Sequence, residues 1–301
     1  MNTGIDWLTR ATQMPWPVVT PFRMRPNLEK LDPVAPALLL RDELADVYRR
    51  ERERVFEAHP ERAMVGLADD TALAAIRGVA PSPLAGSGGG SHSIRNPAST
   101  PQGKRGQDVA LAIQEDFVIL KQDQDTLRTE YLSVCFPSRW DPREKLGLDF
   151  AAIHAPVADN QMLQAAGRNM MTMAFMKQPM LRHVWLIVPA ASLDQHPEKN
   201  QAWWNEALAD PAPLLPRLFF RIERQTTWPL PHLRRAVFFI RLMMSPLVDV
   251  LSVRAEPVEA SAPGRATELA ASLRSMTPAI VAYRGMTDAL PRLLTELDTH
   301  A

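Results

Sequence analysis

The chain has 301 residues, 46% of them apolar and 23% charged, which is the composition of a globular protein long enough to bury a sizeable core. Its 34 Lys plus Arg balance 34 Asp plus Glu, so no general polyanion-binding surface and no nucleic-acid partner are expected. One cysteine excludes an intramolecular disulfide, a cysteine-rich zinc site and a protein-ligated iron–sulfur cluster, while 27 prolines point to short elements joined by stiff turns.

The amino end has no basic stretch leading into an apolar run, and no segment reaches the roughly 18 apolar residues of a membrane helix. A cytoplasmic location without membrane contact is therefore expected. Residues 15–40 are proline-punctuated and are expected to wrap a larger body. Residues 41–58 predict a helix, with Leu44, Val47, Tyr48, Glu51 and Val55 near one face, acidic Asp42 and Glu43 at its start, and Pro60 limiting its extension. A shorter helix is expected over 67–77.

From 81 to 106 the composition turns to Gly, Ser and Pro with almost no large apolar side chain. No G-x-x-x-x-G-K-S/T pattern is present, so a phosphate loop gives way to a flexible insertion. Residues 1–80 have too few apolar periodicities for a core of their own, which makes 1–301 a single domain carrying a surface insertion. A helix is predicted over 107–117, running into a strand at 117–120. Strands follow over 129–136 and 182–188, with a helix over 159–177 between them. Two further strands, 217–227 and 235–243, flank the stiff junction Pro229-Leu230-Pro231-His232, and helices over 265–274 and 278–284 come last. Clustered strands with helices before and after, and no G-x-G-x-x-G, predict an α+β domain with an antiparallel central sheet rather than a doubly wound one.

Period-two alternation then exposes an anomaly. In 217–227, Arg224 shares a face with Leu218, Phe220 and Ile222, whereas Arg221, Glu223, Gln225 and Thr227 share the other. Across the junction, Arg241 lies among Val237, Phe239 and Met243. An arginine on an apolar face needs a carboxylate partner in the protein or an anionic ligand, since an unpaired buried charge is costly. His154, just before Pro156, is a general base, an iron ligand or a hydrogen-bonded core residue; Pro156 is expected to hold Ala155 extended. Met170, Met173 and Met176 follow helical spacing and either pack a core or form a pliable wall against a flat apolar ligand. Cys135, within a strand, has no neighbouring base and reads as a buried structural thiol.

These landmarks form a series that resembles the alpha subunit of the haem-dependent oxidative N-demethylases. The series comprises Lys30-Leu31-Asp32, Cys135-Phe136-Pro137-Ser138-Arg139-Trp140, Lys145-Leu146-Gly147 and Ile153-His154-Ala155-Pro156-Val157. Arg182 with Trp185 follows, then Arg221-Ile222-Glu223-Arg224-Gln225, Leu230-Pro231, Phe238-Phe239-Ile240-Arg241 and Tyr283-Arg284-Gly285. The resemblance implies a PAS-like antiparallel core with extra N- and C-terminal helices, haem b, and O2-dependent oxidation of a small amine. It also implies electrons from NADPH through a separate flavin/iron–sulfur reductase. By position, His154 is the implied axial ligand, and Arg221, Arg224 and Arg241 are candidates for the haem propionates or the ionic network around them. Trp185 packs near the pocket, and Glu223 pairs with an alkylammonium or, preferably, an arginine. Ala158 and Val184 stand where the family has Pro and Asn, and Thr227-Trp228-Pro229 replaces a leucine-rich stretch. These departures keep two alternatives in view, a non-catalytic PAS-like haem sensor and a structural subunit.

Overall fold

The computed structural model describes residues 5–31, 37–82, 102–124, 126–199, 203–253 and 263–300. Among them, the β-branched and aromatic runs pair into one antiparallel sheet of β1 (Glu29–Lys30), β2 (Met64–Gly66), β3 (Asp116–Asp123), β4 (Thr126–Ser133), β5 (Met180–Val188), β6 (Phe219–Leu230) and β7 (Arg235–Pro246). Its order is β1-β5-β6-β7-β3-β4-β2, which bears out the α+β expectation. The longest pairing joins β6 and β7 from Phe219↔Pro246 to Leu230↔Arg235. Their junction closes through a 3-10 turn, Pro231–Leu233, followed by Arg234 at φ 52°, as the prolines there predict. Both edge strands are only two or three residues long, and very short edge strands are one way a sheet avoids offering a long, flat edge to another chain.

Helices cover the two faces of the sheet differently. On one face, Phe117, Ile119, Val237 and Phe239 pack beneath α1 (Ala45–Ala58), α3 (Asp70–Gly78) and α4 (Gln102–Ala112), with the single turn α2 (Pro60–Ala63) alongside. The same face continues through Trp185, Ile187, Phe220, Ile222 and Met243 beneath α8 (Leu247–Leu251), α9 (Arg265–Arg274), α10 (Pro278–Tyr283) and α11 (Leu290–His300). Side chains alternate across a strand, so Val118, Leu120 and Phe238 fall on the other face, against Trp140, Met171 and Phe175. That second face is roofed by α5 (Phe150–His154), α6 (Gln161–Thr172) and a π-helical turn, Met173–Lys177. The short α7 (Trp203–Ala209) follows β5 in sequence and adds Trp204 to the core around Trp185 and Ile187.

Several elements depart from expectation. Helix α4 begins at Gln102, inside the stretch read as a flexible insertion; residues 83–101 of that stretch, and Asp32, lie outside the described residues. The helix expected over 159–177 changes to π geometry at Met173. Ala155 is helical (φ −56°, ψ −38°), not extended. Val157 N donates to His154 O at 3.1 Å and Asn160 Nδ2 caps the His154 and Ala155 carbonyls, so local hydrogen bonding outweighs the steric bias imposed by Pro156. Helix α11 was not predicted, although Leu293 and Leu297 supply its buried stripe. No helix of the described residues is long and apolar enough to cross a membrane.

Candidate functional site

The roof does not rest flat on the second face. Between them lies a cavity of about 470 Å³, within the roughly 300–1,000 Å³ common to ligand and cofactor sites. Its floor is Arg182, Val184 and Leu186 of β5, Glu223, Gln225 and Thr227 of β6, and Phe238 and Ile240 of β7. These residues share a face because Arg182 stands opposite Gln225 and Val184 opposite Glu223, while Gln225 and Thr227 face Ile240 and Phe238. The roof supplies Ile153 and His154 of α5, Met170 and Met171 of α6, and Phe175.

His154 is positioned by the short helix that carries it. Asp149 caps that helix, its carboxylate accepting from Ala152 N at 2.9 Å. One turn later His154 Nδ1 lies 2.8 Å from Phe150 O. A carbonyl oxygen can only accept, so the ring proton sits on Nδ1 and the Nε2 lone pair is free. The imidazole leans on the Phe150 ring with centroids 4.0 Å apart. Burial, aided by the Arg182 and Lys145 cations and opposed by the Phe150 bond, holds the imidazole below its ordinary pKa and therefore neutral.

Two charged groups face the cavity from the floor. No hydrogen bond or ion pair among the described residues reaches the Arg182 guanidinium, whose pKa is lowered by burial with only partial relief from the field of Glu223. Glu223 is held from both sides: Ser138 Oγ donates to Oε1 and Gln225 Nε2 donates to Oε2 at 2.7 Å. At one end of the cavity Tyr283 is half-exposed. The following turn needs Gly285 at φ +68°, where a Cβ would meet the Arg139 guanidinium at 2.6 Å.

His154 and Glu223, two of the sequence candidates, thus line one cavity; the other four are engaged elsewhere. Arg221 is fully buried and donates to Phe136 O at 2.9 Å, Ser192 O at 3.2 Å and Ser138 Oγ at 2.9 Å, with burial pushing its pKa down to about 10. Arg224 points to the opposite face and donates to the Ala37 and Leu38 carbonyls. Arg241, on that face too, pairs with Asp42 and lies over the Tyr48 ring, 4.8 Å from its centroid. Trp185 is sandwiched among Phe22, Phe220 and Arg284, and reaches the cavity only indirectly, since Arg284 lines it. The preferred direct pairing of Glu223 with an arginine is replaced by a contact through Ser138.

Arg182 is the residue that sequence reasoning undervalued. Alternation with Val184 and Leu186 puts it on an apolar strand face, the same signal that drew attention to Arg224. Of the methionines between 162 and 176, Met170 and Met171 line the cavity, whereas Met162, Met173 and Met176 are exposed. Cys135 is buried away from the cavity, its thiol pushed up by burial, in keeping with a structural role. Among the described residues, no three His, Cys, Asp or Glu side chains gather to hold a metal ion on their own.

The model of the family described as "Haem-dependent oxidative N-demethylase, alpha subunit-like" matches residues 104–294. That span contains the whole cavity floor and its roof. No curated protein matches the chain.

Proposed function

Since the chain belongs to the haem-dependent oxidative N-demethylase, alpha subunit-like family, we propose that it binds haem b in this cavity and uses O2 to oxidise a small amine at a carbon beside nitrogen. The observation that carries this reading is one cavity lined by an imidazole with a free Nε2 and a guanidinium with no hydrogen-bond or ion-pair partner among the described residues. The residues fit the group: His154 Nε2 would be the nitrogen that holds the iron, Arg182 would meet the propionate charge, and the walls are otherwise mainly apolar. The helix-roofed antiparallel sheet supports a PAS-like description, and we read the whole chain as one haem-binding domain with an insertion after residue 81.

When bound, haem would supply one-electron and O2 chemistry, with NADPH and a separate flavin/iron–sulfur reductase as the implied source of reducing equivalents. The chain's own residues do the rest. His154 offers Nε2, with its tautomer and ring plane fixed by the Nδ1–H bond to Phe150 O. Arg182 takes the propionate charge that Arg224 and Arg241, on the far face, are not placed to take. Phe238, Ile240, Met170 and Met171 exclude water and lower the local dielectric. Glu223 is the cavity's acidic group, and Trp185 contributes by holding Arg284.

The family name further supports partner subunits, and Val184 on the cavity floor, where the family has Asn, favours a substrate adjusted from dimethylamine. The test is turnover: haem-loaded chain, supplied with NADPH and a reductase, should show amine-stimulated O2 uptake and release an aldehyde with the shortened amine. Bound haem with no amine-stimulated uptake across a panel of methylated amines contradicts the enzyme reading and leaves the sensor alternative.

A further inference from the structure

Arg221, Ser138, Glu223 and Gln225 form a hydrogen-bonded row that haem binding alone does not explain. The Arg221 guanidinium is fully enclosed and, among the described residues, has no carboxylate within ion-pair distance; its Nε–H donates to Ser138 Oγ at 2.9 Å. With that lone pair occupied, the Ser138 hydroxyl directs its own proton to Glu223 Oε1. Gln225, two residues along β6 on the same face, donates to Glu223 Oε2 at 2.7 Å. The serine is itself fixed, because Arg139 N donates to Gln195 O at 3.0 Å and Gln195 N to Pro137 O at 3.2 Å on either side of it.

Each Glu223 oxygen therefore receives one donor from the protein and keeps acceptor capacity, while the side chain lines the cavity. A carboxylate so clamped is a preorganised acceptor for a cation, and the charge-assisted bonds keep it from swinging to Arg182 or Arg221. We propose that Ser138, oriented by Arg221, and Gln225 are positioning residues that present Glu223 as the subsite for the substrate's ammonium group. This rests on the amine-oxidising reading above and adds which residue receives the nitrogen and what holds it in place. The Arg221 charge acts at one remove, through a hydroxyl.

Calorimetric titration with dimethylammonium chloride, on the chain with and without haem, tests the row, and the Soret absorbance records haem uptake separately. Removing a hydrogen bond to a charged acceptor should weaken dimethylammonium binding about tenfold in Ser138→Ala, and by a similar factor in Gln225→Ala. Ser138→Thr, which restores the hydroxyl, should regain most of the affinity, and Glu223→Gln should abolish measurable binding. Because these residues line the same cavity, haem uptake is read for each variant, and the comparison of dimethylammonium affinity is made on the haem-free chains. Wild-type affinity in Ser138→Ala and Gln225→Ala, undiminished binding in Glu223→Gln, or no binding by the unaltered chain overturns the proposal. Gln225→Ala keeps the test decisive if Ser138→Ala fails to fold. A chain that takes up no haem defeats the haem reading, while titration of the haem-free chain still decides the row.

Discussion

The two faces of the sheet carry similar residues and use them differently. On the helix-covered face, each charged side chain is engaged by the protein: Arg224 with the 37–38 carbonyls, Arg241 with Asp42 and Tyr48, and nearby Arg52 of α1 with Asp116 and Gln114 O. On the cavity face, Arg182 has no hydrogen-bond or ion-pair partner among the described residues, and Glu223 is clamped with acceptor capacity left over. The protein ties up the buried charge on the covered face and Arg221 on the cavity face, whereas Arg182 and Glu223 keep capacity for a further contact. An arginine among apolar residues is thus an ambiguous sign until its face is known.

Perturbing either face should produce separable effects. The largest belongs to the covered side. Arg52→Met strands the Asp116 carboxylate, which also receives the Cys135 and Phe136 amides, and should cost about 3–5 kcal/mol in denaturant unfolding. Haem affinity per folded molecule should be unchanged. On the cavity face the pattern reverses: Arg182→Met should weaken haem binding roughly 10–100-fold through loss of charge-assisted bonds, with the unfolding midpoint little changed because Arg182 is only partly buried and makes no hydrogen bond or ion pair among the described residues.

A smaller effect sits between the two. Asp149→Ala removes the cap of the helix that carries His154, costing about 1 kcal/mol and broadening the haem spectrum as the imidazole loses its fixed orientation. The smallest is a dependence on pH. Burial alone would raise the Asp42 pKa, but Arg241 and the hydrogen bonds from Gln114 and Leu44 N outweigh it, leaving the carboxyl below its ordinary value. The group therefore stabilises the fold above the unfolded-state pKa near 3.9, and the contribution is lost as pH falls through the lower, folded value. Asp42→Asn should flatten that acid limb of the stability curve, and an unchanged limb would remove Asp42–Arg241 from the account.

Much of this architecture is legible in the sequence. Alternation in 217–227 separates Arg221 and Glu223 from Arg224, and the structure keeps that separation. What the sequence does not carry is which face meets a cavity, because that depends on α5 and α6 standing away from the sheet. That long-range packing leaves no local pattern, and attention fell on Arg224 and Arg241 rather than Arg182. The helical Ala155 was hidden for a related reason: local sterics at Pro156 argue for extension, and the competing carbonyl contacts from Asn160 are visible only once the turn has formed. Ser138 was noted only as part of a landmark, since its two partners come from a strand more than 80 residues away.

On the function proposed above, His154 Nε2 would hold the iron of a haem on the cavity face. The most direct measurement is the absorption spectrum of the purified chain titrated with haem, beside His154→Ala. The account predicts a saturable Soret band at one haem per chain, lost or markedly shifted in His154→Ala and restored toward the original by added imidazole. A Soret band identical in the two proteins, or none in either, would contradict it.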